Sequence, residues 1–386
     1  MSKFIPLSVP NLKGNELKYI TDVIQKEWVS TGGEMINQFE AALSEYLNVE
    51  ATTACQSGTA GIHLALILSG VGKDDEVIVP TLTFIAAVNP VRYCNAEPVF
   101  MDCDESLCID PVKLEEFCSE KCEFIDNKLI NKDTQQHIKA IVVVHVFGNM
   151  ADMDSIMRTA EKYNLKVIED ATEALGSYYR SGTYEGKFAG TIGDYGVFSF
   201  NGNKIITTGG GGLVTAKNPK DVKRAKYLST QAKDDEINFF HNEIGYNYRM
   251  TNLQAAIGVA QLEQLENFIN IKTKNYILYR KEFENINDIK LLHFREEIRP
   301  NYWFYSIFLN KVKRDSLIEY LMNNNIQTRP VWGLIHEQRP YKKSMTYKIE
   351  RAAGFYDRIV NIPCSTNLSE DQIYYVIDKI KKFINY

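Results

Sequence analysis

Short, almost wholly apolar runs recur between residues 51 and 215, and most are followed by a loop and a stretch of helical periodicity. VIV at 77–79, AIVVV at 140–144 and VFSF at 197–200 are the clearest. Strands with apolar residues on both faces are typical of parallel sheets covered by helices. The pattern predicts strands at 51–55, 76–80, 98–101, 140–145, 166–169, 196–200 and 212–215.

Helical periodicity separates these strands. Leu17, Ile20, Val23 and Ile24 fall at helical spacing and predict a helix over 14–27, and STGG at 30–33 then predicts a loop. Further helices are predicted at 59–69, 85–93, 153–163 and 219–228, with one long helix over 252–283. Alternating strands and helices indicate a mainly parallel α/β sheet with helices on both faces. The polar segment 119–137 interrupts the alternation and predicts a surface excursion.

The chain divides into a large and a small unit on this pattern. We expect a helix in residues 1–30 that packs with the small unit, a large α/β domain over 31–255, and a smaller α+β domain over 256–386. No repeat of fixed period and no low-complexity linker is visible in the sequence.

Composition narrows the class of protein. The 386 residues are 45 % apolar and 24 % charged, as in a soluble protein with a sizeable core. A net charge of −5 argues against nucleic-acid binding, and no apolar run is long enough for a membrane span or a signal peptide. We therefore expect a cytoplasmic protein. The seven cysteines contain no C-x-x-C pair, so we also expect reduced thiols and no metal site.

Three segments hold candidate chemistry. QSGTA at 56–60 follows a predicted strand and opens a helix, where small residues and free N–H groups suit a phosphate. The alternative is an ordinary helix cap by Ser57 or Thr59. Asp170 ends an apolar strand, where a carboxylate can hold a cofactor ring nitrogen protonated, although it could equally cap a helix.

The third segment contains Lys204, just after a buried strand and just before the glycines 209–212. A lysine near buried groups loses its proton more easily, which suits imine formation, and glycines allow close approach to a ligand. Most lysines are solvated surface residues, so Lys204 alone proves nothing. No nucleotide P-loop pattern is present.

The order of these segments resembles a known family. SGTAGIHLAL (57–66), PTLTFIAAVNPV (80–91), EDATEALGS (169–177), GDYGVFSFNGNKIITTGGGG (193–212) and GYNYRMTNLQAAIGVAQL (245–262) resemble the DegT/DnrJ/EryC1/StrS sugar aminotransferases. These are fold type I enzymes that depend on pyridoxal 5'-phosphate (PLP). SFNGNKIITT with GYNYRM resembles most the branch that makes 4-amino sugars such as bacillosamine or legionaminic-acid precursors.

The resemblance implies roles for individual residues. Lys204 matches the lysine that binds PLP covalently as a Schiff base, and Asp170 matches the partner of the ring nitrogen. The phosphate contacts are matched by Gly58, Thr59 and Ser199. Phe84 matches the aromatic residue that stacks on the cofactor, with a core aromatic as the alternative.

Other matched positions lie further from the cofactor. Glu173 stands near the cofactor's phenolic oxygen, where relatives often have Gln or His. Asn247 and Arg249 match residues that reach the neighbouring subunit's site, which implies a homodimer. Gly210 replaces a glutamate of many relatives, and we expect this to alter loop packing rather than chemistry.

Three residues are weaker candidates for the substrate side of the pocket. His145 closes a strand, and a packed core histidine is the alternative. Arg329 and His336 belong to TRPVWGLIH, which resembles a segment near the substrate mouth, and a plain surface role is the alternative for both.

The implied reaction moves an amino group from L-glutamate to a 4-keto-6-deoxy sugar carried by UDP or another nucleotide. Some relatives have histidine in place of the lysine and are dehydratases, and Lys204 argues against that activity here. Two alternatives remain open: another fold type I PLP enzyme, such as a cysteine desulfurase or an aldolase, and a PLP-binding regulatory protein without catalysis.

Overall fold

The predicted alternation of strands and helices is present in the computed structural model, which describes residues 4–235, 237–310 and 314–384. Its helices are α1 Glu16–Gln25, α2 Glu34–Leu47, α3 Gly58–Leu68, α4 Asn89–Tyr93, α5 Pro111–Glu120, α6 Met153–Lys162, α7 Pro219–Ser229, α8 Asn252–Leu262, α9 Leu265–Phe283, α10 Arg314–Asn323, α11 Arg351–Tyr356 and α12 Glu370–Ile384.

The strands lie along the whole described chain, and those of the first two thirds mostly alternate with the helices. They are β1 Thr52–Cys55, β2 Asp75–Pro80, β3 Glu97–Met101, β4 Cys122–Ile125, β5 Lys128–Asn131, β6 His137–Val144, β7 Lys166–Asp170, β8 Tyr178–Tyr179, β9 Tyr195–Ser199, β10 Gly212–Ala216, β11 Ile289–Leu291, β12 Ile298–Arg299, β13 Tyr305–Leu309, β14 Arg329–Pro330, β15 Thr346–Tyr347 and β16 Ile359–Ile362. The seven strands predicted between residues 51 and 215 are confirmed, with bounds shifted by up to three residues.

The large sheet is mixed but mainly parallel. Its order is β1-β10-β9-β7-β6-β2-β3-β15, and every neighbouring pair from β9 to β15 is parallel. Only β10 runs antiparallel on this path, against both β1 and β9. Helices α3 and α7 pack against the β1–β10–β9 side, and α4 and α6 pack against β3 and β7. The predicted α/β fold class is therefore confirmed.

Periodicity failed to reveal one break. The predicted helix 252–283 is wrong as a single element, because α8 ends at Leu262 and α9 begins at Leu265. Glu263 and Gln264 keep helical backbone angles, so the apolar spacing continues across the turn. The Glu263 carboxylate accepts hydrogen bonds from Asn15 and Tyr19 at the same point, which ties the turn to α1.

The polar excursion also has regular structure. Strands β4 and β5 form a hairpin, with positive φ at Asp126 and Asn127 in its turn, and β5 pairs with β6. The predicted helix 85–93 is a single turn of 3-10 helix at Ile85–Ala87 followed by α4.

A second, antiparallel sheet has the order β11-β13-β16-β14. The N-terminal segment crosses to it, since Ile5 pairs with Ile326 and the Leu7 carbonyl accepts the Cys364 N–H. Helix α1 packs against α8. One continuous apolar core runs from Ile5 to Ile380 through both sheets, so the division at residues 255 and 256 stays a prediction. In the described residues, no helix combines the length and apolar character of a membrane span.

Candidate active site

A cavity of about 620 Å³ opens where the parallel strands of the large sheet end. Val144, Asp170 and Ser199 are the last residues of β6, β7 and β9, and all three line it. Ligands of open α/β sheets bind beyond the carboxyl ends of the strands, and this cavity lies at that position. Its wall contains eight of the twelve residues singled out from the sequence: Gly58, Thr59, Phe84, Asp170, Glu173, Ser199, Lys204 and Arg329.

The start of α3 forms an anion cradle in this wall. Ser57 caps the helix by accepting the Ala60 N–H at 3.1 Å, and the Ser57 carbonyl accepts the Gly61 N–H. The N–H groups of Gly58 and Thr59 have no hydrogen-bond partner among the described residues. The predicted helix cap by Ser57 is therefore confirmed, and because it leaves two free donors at the helix start, phosphate binding by QSGTA stays a prediction.

Glycine is needed here for close packing rather than for an unusual turn. A Cβ on Gly58 would lie 2.8 Å from the Thr172 methyl group and 3.1 Å from Ser199 Cβ. A Cβ on Gly212 would lie 2.5 Å from the Ser57 carbonyl carbon. The missing side chains of Gly58 and Gly212 therefore let the start of β10 pack directly against the start of α3. At Gly210 a Cβ would meet only Gln254 at 3.6 Å, so this position has room for a side chain.

Asp170 is buried at the end of β7 with one oxygen committed and one free. Its Oδ1 accepts the Thr172 N–H at 3.0 Å, and Oδ2 has no partner among the described residues. Burial raises the pKa of Asp170, while the hydrogen bonds to Thr172 and the charge of Lys204 oppose that rise. A carboxylate with one free oxygen in a cavity wall is suited to a cationic partner.

Lys204 projects into the same cavity and is held between an acid and an aromatic ring. Its Nζ lies 3.7 Å from Glu173 Oε1 and 4.2 Å from the centre of the Trp303 ring. Trp303 is fixed in turn, because its Nε1–H donates to the Asn203 carbonyl at 2.7 Å and its ring stacks on Phe304 at 4.0 Å. The amine is thus positioned by residues from two distant parts of the chain.

Glu173 is oriented by a strained backbone. Its Oε2 accepts the Phe147 N–H at 2.9 Å, which leaves Oε1 toward Lys204. Phe147 is fully buried with φ of 58°, a left-handed conformation that is rare for an aromatic residue. Burial raises the pKa of Glu173 to about 7, against the lowering effect of Lys204 and the Phe147 N–H.

The two histidine candidates lie outside the cavity wall. His145 is fully buried, where its Nδ1 accepts the Ala151 N–H at 3.2 Å and its Nε2 faces Glu169 Oε2 at 2.9 Å. It therefore has the packed core position that the sequence left open. His336 is half-buried, and its Nδ1 lies 2.6 Å from Thr81 Oγ1.

Asn247 and Arg249 also lie outside the cavity of their own chain. Arg249 donates to Asn247 Oδ1 and to Gln231 Oε1 at 3.2 Å each, and Asn247 is exposed. Their position leaves open the predicted contact with a neighbouring subunit.

Sequence reasoning missed several lining residues, among them Ser8, Trp303, Gln327, Trp332 and Asn361. Ser8 belongs to the N-terminal segment, and the other four lie in or near the strands of the second sheet. Two sequence features could have indicated some of these residues: the aromatic cluster NYWFY at 301–305 and the TRPVW segment at 328–332.

The residues present fit PLP. The cradle offers free N–H donors for a phosphate, Asp170 Oδ2 is free for a ring nitrogen, and Lys204 supplies an amine. Phe84 lies at the mouth with 54 % of its surface exposed, available for stacking. The described residues bring together no group of three or more His, Cys, Asp or Glu side chains suited to a metal ion.

Comparison with known proteins gives a consistent result. Residues 10–381 match the model of the DegT/DnrJ/EryC1/StrS aminotransferase family. The chain is 38 % identical over 384 residues to GDP-perosamine synthase of Escherichia coli O157:H7, covering 99 % of each chain. It is 29 % identical to the UDP-4-amino-4,6-dideoxy-N-acetyl-beta-L-altrosamine transaminase of Campylobacter jejuni strain 81-176, covering 98 % of this chain and 99 % of that protein.

Solved structures show the same fold. The crystal structure of the aminotransferase TlmJ from Streptoalloteichus hindustanus superimposes with a TM-score of 0.89 at 24 % identity, covering 99 % of both chains.

Proposed function

The chain belongs to the DegT/DnrJ/EryC1/StrS aminotransferase family, whose members depend on PLP, and we propose that it transfers an amino group from L-glutamate to a nucleotide-linked 4-keto-6-deoxy sugar. The observation that carries this proposal is the single cavity shared by the Lys204 amine, the Asp170 carboxylate and the free N–H groups of Gly58 and Thr59. An amine, a carboxylate and an anion cradle are the groups that PLP chemistry needs from a protein.

We propose the following division of labour in this cavity. Gly58, Thr59 and Ser199 bind the cofactor phosphate, Asp170 holds a proton on the ring nitrogen, and Phe84 covers the ring. PLP, when bound, accepts the amino group of one substrate, stabilises the charge at the reacting carbon and delivers the amino group to the other substrate.

We propose that Lys204 would hold the cofactor covalently and would act as general base and acid. Released when the donor takes its place, its amine would remove the proton from the donor's α-carbon and return it to complete the transfer. Trp303 and Glu173 flank this amine at 4.2 Å and 3.7 Å, and we propose that they keep it directed at the reacting carbon. In the second half-reaction, the same amine would act as general base and acid at the sugar carbon that receives the amino group.

The nucleotide is the least constrained part of the substrate. The relative at 38 % identity is named for a GDP-linked product, and the relative at 29 % for a UDP-linked one. The C. jejuni name also states a 4-amino-4,6-dideoxy product, which a ketone at C4 would give. The higher identity favours GDP over the UDP expected from the sequence motifs.

A homodimer with shared sites is part of the proposal. The segment before Asn247 exposes Ile237, Phe239, Phe240 and Ile244 by 65 % to 86 %. Exposed large apolar side chains so close in sequence support the proposal, because burial against another protein surface would be favourable for them. A second copy placed on this segment would bring Asn247 and Arg249 close to another chain.

A cytoplasmic location is proposed as well, supported by seven buried cysteines that form no disulfide.

The visible absorption spectrum of the purified protein with PLP tests the function. L-glutamate should remove the band of lysine-bound PLP, and a GDP- or UDP-linked 4-keto-6-deoxy sugar should restore it, the effective nucleotide identifying the acceptor. A band that glutamate leaves unchanged would favour another PLP enzyme or a regulatory protein. Absence of any band would refute the assignment of Lys204.

A further inference from the structure

Three side chains with hydrogen-bond donors line one part of the active-site cavity. They are Gln327, which precedes β14, Arg329 of β14 and Asn361 of β16. Arg329 and Asn361 are register partners on β14 and β16, so their side chains share a face. Gln327 precedes Arg329 by two residues in extended chain, whereas the intervening Thr328 is buried. We call these three residues the donor wall.

A backbone donor orients the Gln327 amide, and a hydroxyl group pairs with the oxygen of the Asn361 amide. Gln327 Oε1 accepts the Leu7 N–H at 3.1 Å, and a backbone N–H can only donate. Asn361 Oδ1 accepts the Ser306 hydroxyl at 2.6 Å. Both NH₂ groups are therefore left for a ligand, and neither has a protein partner among the described residues.

Arg329 adds a cation that the chain leaves unpaired. No carboxylate of the described residues lies within 4.0 Å of its guanidinium group, which is exposed in the cavity wall. Lys204 is the other cationic residue that lines the cavity, and its amine already faces the Glu173 carboxyl group. Three donors with one free charge and no acceptor between them form a site for an anion.

On the basis of the proposed function, we infer that the donor wall is one anion subsite used in turn by a carboxylate of the amino donor and by the diphosphate of the nucleotide sugar. Both substrates react in the same cavity, so they occupy it successively. Both carry an anionic group, and among the cations that this chain itself places in the cavity lining, Arg329 is the one that no carboxylate of the described residues engages. Because Lys204 faces Glu173, the donor wall is the part of this chain's own cavity lining where a free positive charge and free NH₂ groups can meet either anion.

The experiment uses the PLP-loaded enzyme, L-glutamate, and inorganic pyrophosphate as the diphosphate probe. Stopped-flow loss of the visible band gives the half-saturating glutamate concentration, and calorimetry gives pyrophosphate affinity independently of turnover. Pyrophosphate should raise the half-saturating glutamate concentration of the wild type. Arg329→Gln should weaken both ligands by about tenfold to a hundredfold, the usual effect of losing a hydrogen bond to a charged group.

Gln327→Glu provides a second variant that keeps the shape of the side chain. One oxygen still accepts the Leu7 N–H, while the other replaces a donor by a negative charge, so both ligands should again weaken by about tenfold or more. Arg339→Gln is the matched control, because Arg339 is exposed in the same unit and lies outside the cavity. It should behave as the wild type.

The outcomes separate the inference from the proposed function. Wild-type conversion by glutamate, with both affinities unchanged in Arg329→Gln and Gln327→Glu, overturns the donor wall. Weaker glutamate binding in the variants without pyrophosphate competition overturns the shared use. A wild-type band that glutamate cannot change overturns the proposed function and this inference together, whereas loss of both ligands in both variants supports it.

Discussion

The carboxyl group of Glu173 and the amine of Lys204 lie 3.7 Å apart in one cavity wall, and a separate contact fixes each of them. Phe147 N–H holds Glu173, and the Trp303 ring lies against Lys204. Because burial raises the pKa of Glu173 to about 7, this acid exchanges its proton near neutral pH, directly beside the proposed catalytic amine.

Glu173→Gln should change how stability depends on pH in the cofactor-free protein. Between the ordinary pKa of 4.5 and about 7, the folded state holds a proton that the unfolded state has lost. Unfolding then releases a proton, so the free energy of unfolding falls as pH rises through this range and levels off above it. Urea denaturation at pH 5 and pH 8 should show the wild type losing stability relative to Glu173→Gln. A constant difference between the two proteins would contradict the raised pKa.

Lys204→Ala should remove covalent cofactor binding and abolish turnover while the fold persists. The side chain is largely buried beside Glu173 and Trp303, and its amine is the one placed with Asp170 and the cradle. Borohydride treatment followed by mass spectrometry should attach PLP to the wild type and to Lys217→Ala, an exposed control, and leave Lys204→Ala unlabelled. Near-normal turnover in Lys204→Ala would refute the assignment.

Asp170→Asn should lower the rate by about a thousandfold, the order expected when a preorganised electrostatic partner is lost. Asparagine can still accept the Thr172 N–H through its oxygen, so the loop geometry is retained. Asp152→Asn is the control, since Asp152 caps α6 by accepting the Ser155 N–H and asparagine caps equally well. A reduction smaller than tenfold in Asp170→Asn would count against its role at the ring nitrogen.

The sequence predicts the part of this site that is built from local chemistry. Apolar runs locate β7 and β9. Asp170 ends β7 and Lys204 lies shortly after β9, and the two residues come together because parallel strands end at one edge of the sheet. Asn361 belongs to β16 of the second sheet and Trp303 to the segment just before β13, and no pattern around Lys204 indicates that residues so distant in the chain line the same cavity. The sequence does not predict the break between α8 and α9, because Glu263 keeps helical backbone angles and the spacing of apolar residues continues across it.

Gly258→Ala should destabilise the fold at the α2–α8 contact. An added Cβ would lie 2.7 Å from the fully buried ring of Phe39, closer than packing allows. Overpacking costs about 1–3 kcal/mol, and the better helix propensity of alanine returns at most about 1 kcal/mol. We expect a net loss of about 1–2 kcal/mol in chemical denaturation. Gly72→Ala is the control, because nothing lies within 4 Å of its added Cβ, and equal losses in both variants would refute the packing argument.

Phe240→Asp should weaken the proposed dimer and reduce turnover with it. Phe240 is 66 % exposed within the apolar segment that leads to Asn247 and Arg249, so a charge there opposes burial against a second copy. Sedimentation velocity should show a dimer for the wild type and a shift toward monomer for the variant. Val112→Asp, 65 % exposed on α5, is the control and should stay dimeric. Turnover should fall only where the dimer dissociates, since Asn247 and Arg249 lie outside the cavity of their own chain. A fully active monomer would show that one chain completes the site alone.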